Sequence, residues 1–277
     1  MIPARTAMLR VLIALTVFGA GALGCLPARA DGVDVGKPSS MRNLVPAGTI
    51  EKQAAQEYEQ LKRQAASKRA LGPDDHPQVR RLRAIAARMI PFVDRFNPLA
   101  RQWRWEVNLI GSKQINAFCM PGGKIAFFSG ILDTLKLTDD EAAMVMGHEI
   151  AHALREHARA RMAKSQIAQF GANLLGELVA GGRYAGAFQM GGSLLSLKFS
   201  RDDESEADVV GLDLAARAGF DPRAGISLWQ KMAAANRRAP LEFLSTHPAG
   251  NNRIKDIERH LPDVMPLYER ARDSRNQ

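Results

Sequence analysis

His148, Glu149 and His152 follow one another in the order H-E-x-x-H, inside the stretch Met146–Ala153. On a helix, side chains four residues apart lie on one face, one turn above the other. Two imidazoles placed in this way can grip a single metal ion at roughly 2.0–2.1 Å per nitrogen. Glu149 is one residue off that line. It is suited to stand over an open metal position and take a proton from water rather than to ligate. The pattern therefore requires a helix to carry it, a third ligand and a cleft.

A catalytic zinc keeps three protein ligands and one open position. A glycine three residues beyond His152 and a histidine six residues beyond it would meet the need for a third ligand. Arg155 and Ala158 stand at those positions, so that arrangement is excluded. His157 lies five residues past His152 and reads as a surface histidine pointing away from the metal face. The acidic run Ser200–Asp208 remains. Glu204 and Asp208 are four apart and share a helix face. One can ligate while the other hydrogen-bonds a ligand histidine and sets its tautomer. Spacing alone leaves open which does which. Asp202 and Asp203 suit a helix N-terminus for electrostatic reasons alone.

The elements around these residues can be read from their periodicity. Thr138-Asp139-Asp140-Glu141 is a capping box, and it predicts a helix from there to about Lys164 that carries the H-E-x-x-H residues at mid-length. Apolar residues at helical spacing predict helices over 50–71 and 78–96. Trp103–Ile110, Gln114–Met120 and Lys124–Phe128 read as strands, the last two joined by Pro121-Gly122-Gly123. Ser129–Leu137 reads as a short helix. Residues 165–199 are apolar and glycine-rich, and are expected to form a helical hairpin. Their longest charge-free stretch, Tyr184–Leu197, is too short to span a membrane. Further helices are expected over 201–219, from Asp221-Pro222 to about Arg238, and over 251–261, with a polar tail from Pro262. The fold class expected is α+β, mainly helical, with a small antiparallel sheet packed on the helix that carries the histidines.

Composition narrows the class. The chain has 277 residues, 46% of them apolar but only 6% aromatic, so its core is aliphatic and alanine-rich. The formal charge is +9. No basic run is interleaved with aromatic residues, so no nucleic-acid partner is expected. Arg5 and Arg10 precede an uncharged apolar segment, Val11–Gly24, and Ala28-Arg29-Ala30 resembles an export cleavage site. These features predict a signal peptide over 1–30 and a periplasmic protein. The alternative is an outer-membrane lipoprotein acylated at Cys25. With Cys25 and Cys119 the only cysteines, no disulfide framework is expected. Cys119 reads as a buried thiol rather than a nucleophile.

Taken together, H-E-x-x-H and the later Ser200-Arg201-x-x-Glu204-x-x-Ala207-Asp208 resemble metallopeptidase family 48. The likeness extends over roughly Leu82–Leu261, through Asn116-Ala117-Phe118, Pro121-Gly122-Gly123, Gly219-Phe220-Asp221-Pro222, Thr246-His247-Pro248 and Arg253. It implies a zincin-like fold and one zinc ion per chain, held by His148, His152 and Glu204. Glu149 would be the general base, and Asp208 would orient a ligand histidine. His247 and Arg253 would face the scissile carbonyl and help stabilise the oxyanion. A second role open to His247 is to fill zinc's free position and hold the enzyme latent. Asn116, Ala117 and Phe118 would belong to an edge strand that holds substrate in extended form. The domain layout expected is a signal peptide over 1–30, an arm and helix over 31–71, the zinc metallopeptidase domain over 72–265 and a tail over 266–277. The activity expected is endoproteolysis of unfolded or misassembled envelope proteins. The alternative is a chaperone-like factor acting with outer-membrane assembly machinery, with peripheral membrane contact.

Overall fold

The computed structural model describes residues 32–180, 193–248 and 252–275. The expected signal segment, with Cys25, lies outside the described residues.

Helix α1, Ala47–Ser67, buries Ile50, Ala54, Tyr58 and Ala65, one stripe at helical spacing. The Tyr58 hydroxyl donates to the Ile125 carbonyl and accepts from Asn108 Nδ2 at 3.1 Å, which docks α1 on the sheet. Helix α2, Pro77–Met89, is capped by His76, whose Nδ1 accepts from the Gln78 N–H at 3.1 Å. The helix expected to reach Phe96 changes character at Pro91. It tightens into a 3-10 segment over Ile90–Arg95, because proline cannot donate the next α-helical hydrogen bond.

Three strands follow: β1, Glu106–Ile110; β2, Ala117–Met120; and β3, Lys124–Phe128. The sheet is mixed rather than antiparallel. Its order is β1-β3-β2, with β2 and β3 antiparallel and β1 and β3 parallel. Gly122 and Gly123, at φ of 80° and 79°, turn the tight β2–β3 hairpin. The chain leaving β1 passes beyond the position that β3 then fills, so β2 lies on the sheet's edge.

Helix α3, Ser129–Leu135, leads to α4, Asp139–Leu154. The capping box of α4 is present in both directions: Thr138 Oγ1 accepts from the Glu141 N–H, and Glu141 Oε2 accepts from the Thr138 N–H. Every residue of α4 from Glu141 to Leu154 is buried. It is the central helix, packed between β2 and α6, Arg201–Arg217, with α2 and α7, Ala224–Asn236, alongside. It ends ten residues short of the expected Lys164. Glu156 takes a left-handed conformation (φ 57°), and a new helix, α5, runs His157–Ala180.

The expected hairpin over 165–199 is helical in its first part. The return expected of it falls mostly on 181–192, outside the described residues, and a 3-10 turn is described at Leu194–Ser196. No helix among the described residues is long and apolar enough to cross a membrane. After α8, Glu242–Thr246, the last helix α9 spans Arg253–Asp273 with Pro262 and Pro266 inside it, so the tail expected from Pro262 is mostly helix. Ile257, Val264 and Leu267 carry its buried stripe across the prolines, and packing on α6 and α7 outweighs the missing hydrogen bonds.

Candidate metal centre

Helices α4 and α6 cross at two glycines. A Cβ on Gly147 would lie 2.8 Å from the Gly211 carbonyl oxygen, and a Cβ on Gly211 would lie 2.8 Å from the His148 amide nitrogen. Backbone therefore meets backbone at the crossing. The face with His148 and His152 is brought directly onto the face with Glu204 and Asp208.

Four donors converge there. His148 Nε2 and His152 Nε2 are 3.1 Å apart. Glu204 reaches both, with Oε2 at 3.4 Å from His148 Nε2 and Oε1 at 3.3 Å from His152 Nε2. His247 Nδ1 is 3.1 Å from Glu204 Oε1 and 3.4 Å from His148 Nε2. All four residues are buried, and the donor atoms lie within 4.8 Å of one another. Tetrahedral bonds of roughly 2.0–2.1 Å place donor pairs about 3.3 Å apart, so the set fits a zinc-sized ion. The electrostatics agree. Burial opposes ionisation of Glu204, but the charge on His148 and hydrogen bonds from three histidines hold its carboxyl far below the usual range.

The choice between the two carboxylates is made by the crossing geometry. Glu204 turns to the Nε2 side of the histidines. Asp208 accepts from His148 Nδ1–H at 3.0 Å, the bond that leaves Nε2 free as a donor to metal. Glu149 is 2% exposed, and burial raises its pKa. Its Oε1 has no hydrogen-bond partner among the described residues and lies 3.6 Å from His247 Nε2. A buried carboxylate oxygen without a partner is costly and marks a place built for a further ligand.

The cleft at this centre has a volume of about 300 Å³ and is lined by Asn116, Ala117 and Phe118 on one side and by Glu149, His152 and His247 at its floor. Among the described residues β2 pairs with β3 alone, so as an edge strand it presents backbone groups on its other side. Cys119 is buried, and its thiol pKa is pushed well up by that burial, which suits no nucleophile.

Two residues differ from expectation. Arg253 does not line the cleft. It is 3% exposed beneath the ligands, with Nη1 donating to Glu204 Oε2 at 2.6 Å, Nε and Nη2 donating to the two Asp208 oxygens at 2.5 Å, and its guanidinium 3.8 Å from the Trp229 ring centroid. Its donors are thus committed to the two carboxylates rather than to a scissile carbonyl. His157, expected at the surface, is 3% exposed, and its Nδ1 lies 2.9 Å from His152 Nδ1. On a continuous helix it would point about 140° away from His152. The left-handed residue Glu156 redirects the chain, and no local sequence signal announces that.

A central helix bearing H-E-x-x-H, faced by a glutamate from a second helix beside an edge strand, defines a zincin-type metallopeptidase fold. The chain matches Peptidase family M48 over residues 77–261 and belongs to that family. It is 33% identical over 216 residues to the mitochondrial metalloendopeptidase OMA1 of Saccharomyces cerevisiae, covering 72% of this chain and 60% of that protein. It is 38% identical over 181 residues to the mitochondrial metalloendopeptidase OMA1 of Arabidopsis thaliana, covering 62% and 35%. It is 32% identical over 171 residues to the beta-barrel assembly-enhancing protease of Yersinia pestis, covering 57% and 35%. The chain thus spans between about a third and three fifths of these relatives' lengths. The expected periplasmic location, with its lipoprotein alternative, is corrected: the yeast and plant relatives carry mitochondrial names, and residues 1–30, on which that expectation rested, lie outside the described structure.

Proposed function

We propose that this chain is a zinc-dependent endopeptidase acting on extended segments of unfolded or misassembled proteins. The observation that carries the reading is the buried four-donor cluster with the unpartnered Glu149 oxygen beside it, at the floor of a cleft edged by β2. His148, His152 and Glu204 would hold the ion, and Asp208 and Arg253 would hold those ligands in place. Zinc, when bound, supplies a Lewis acid that makes water nucleophilic near neutral pH. Glu149 takes the proton from the attacking water and passes it to the leaving amine. Its raised pKa suits a group that must carry that proton between the two steps. Substrate pairs backbone to backbone with β2 through Asn116–Phe118, which favours chain that is already extended over any tight sequence code.

His247 has a second reading, favoured by its position. Its Nδ1 stands among the ligand atoms and its Nε2 near Glu149, so it fills the place that water needs. We read the geometry as a latent arrangement, which opens when His247 turns toward the substrate carbonyl.

The test is zinc content and casein cleavage, measured with and without a chelator, for the wild-type protein and Glu149→Ala. The expected result is one zinc per chain in both and a 10²–10⁴-fold loss of cleavage in the variant. Cleavage that survives complete zinc removal would overturn the reading.

A further inference from the structure

His152 is held on two sides that its role as a candidate ligand does not itself require. The Phe199 ring stacks on it, with centroids 4.0 Å apart and the planes 29° from parallel. On the edge away from the metal, His152 Nδ1 meets His157 Nδ1 at 2.9 Å. The chain of contacts continues outward. His157 Nε2 lies 2.9 Å from Glu206 Oε2, and Glu206 Oε1 pairs with the Arg155 guanidinium. Arg155 is buried as well, and its Nη2 donates to the Val35 carbonyl at 3.3 Å and the Gly36 carbonyl at 3.0 Å. The arm that carries those carbonyls is pinned a second time, where the Val33 N–H donates to the fully buried Asp213 at 3.0 Å. Gly32 lies against the same carboxylate: a Cβ there would be 1.9 Å from Asp213 Oδ2, at a φ of 91°.

With an ion on His152 Nε2, the hydrogens along this chain can be assigned in one way. For His152 Nε2 to give its lone pair to an ion, Nδ1 must carry the proton. His157 Nδ1 must then accept, so His157 Nε2 carries a proton, and the Glu206 carboxylate takes it. Each ring N–H in this relay finds an acceptor, and the relay ends on an arginine whose Nη2 is held by backbone carbonyls. His148 has its own orienting partner in Asp208. Among the described residues no carboxylate meets His152 Nδ1, and His157 stands where one would be.

We propose that His157 is a positioning residue for the metal centre. It fixes the tautomer and ring angle of His152, and is itself held by Glu206, Arg155 and the 33–36 arm. The centre is therefore braced from outside the 77–261 stretch that matches the family. The inference rests on the metallopeptidase reading, and the two can fail separately.

The experiment is zinc affinity of the full chain by competition with a chromogenic chelator, together with kcat and KM on casein. The variants are His157→Phe, His157→Asn and Glu206→Ala. His157→Phe keeps bulk and removes the acceptor; the expected result is a 10–100-fold weaker zinc affinity and a lower kcat at unchanged KM. His157→Asn offers its Oδ1 in place of Nδ1 and should restore most of the affinity. Glu206→Ala, which truncates a partly exposed side chain, should lose affinity severalfold even if His157→Phe does not fold. Zinc affinity equal to wild type in Glu206→Ala or His157→Phe, or an equal loss in Asn and Phe, overturns the proposal. Wild-type protein that binds no zinc overturns the metallopeptidase reading instead.

Discussion

Gly147 and Gly211 meet backbone to backbone where α4 crosses α6, with no room for a side chain on either. A Cβ on Gly147 would stand 2.8 Å from the Gly211 oxygen, below any normal contact distance. The neighbours of this contact are His148 on one helix, and Glu204 and Asp208 one or two turns back along the other. The separation of the two helices sets the separation of the metal donors, so Gly211→Ala should do two things at once. It should cost about 1–3 kcal/mol of stability through overpacking, read by denaturant unfolding. It should also weaken zinc binding, because a wider crossing pulls Glu204 from the histidines. A variant of wild-type stability and zinc affinity would show that the crossing has slack.

Arg253 neutralises Glu204 and Asp208 from beneath, and all three side chains are buried. Arg253→Met keeps much of the bulk over Trp229 but takes from two buried carboxylates the guanidinium that they share, leaving them their histidine partners alone. Breaking a buried pair in this way costs about 3–5 kcal/mol. The expected result is a marked drop in Tm together with loss of zinc. A variant that is stable and zinc-replete but slow would return Arg253 to the oxyanion role.

His247→Ala separates latency from catalysis. If its Nδ1, 3.1 Å from Glu204 Oε1, keeps water out, the variant should cleave casein at or above the wild-type basal rate, with zinc content unchanged. A clean loss of activity, of the order of 10²–10³-fold for a lost oxyanion donor, assigns His247 to the transition state instead.

Glu141 predicts a pH dependence that is independent of any metal. Burial opposes its ionisation, but Lys231 Nζ at 2.6 Å, the Thr138 N–H and the Ser227 hydroxyl outweigh it and lower its pKa. The folded protein therefore holds this proton less tightly than the unfolded chain does. The stabilisation is full above the unfolded value of about 4.3 and fades as pH falls through the lower folded value. Glu141→Gln should be less stable than wild type by about 1 kcal/mol at pH 7, the scale of a helix cap. The gap should close progressively below about pH 4. A gap independent of pH would mean that the charge is not what stabilises this helix start.

Local chemistry made much of this protein legible from its residues. The capping box at Thr138 and Glu141 starts α4 wherever the helix lies, and H-E-x-x-H places His148 and His152 on one face by helical period alone. The Pro121-Gly122-Gly123 turn forms a hairpin for reasons within three residues. The acidic run from Ser200 marks a second helix start, with Glu204 and Asp208 on a shared face. What remained hidden depends on contacts between residues far apart in the chain. The Gly147–Gly211 crossing decides that Glu204 faces the Nε2 atoms while Asp208 takes His148 Nδ1. The β2–β3 hairpin sits beside β1 with β3 innermost, so the sheet is mixed and β2 is its edge. Arg253 is drawn under the site because two carboxylates must be paired once they are buried. His157 reaches His152 only because Glu156 adopts a left-handed backbone that ends one helix and aims the next. Periodicity describes a helix that continues; where a helix breaks, and what the break brings together, is settled by packing.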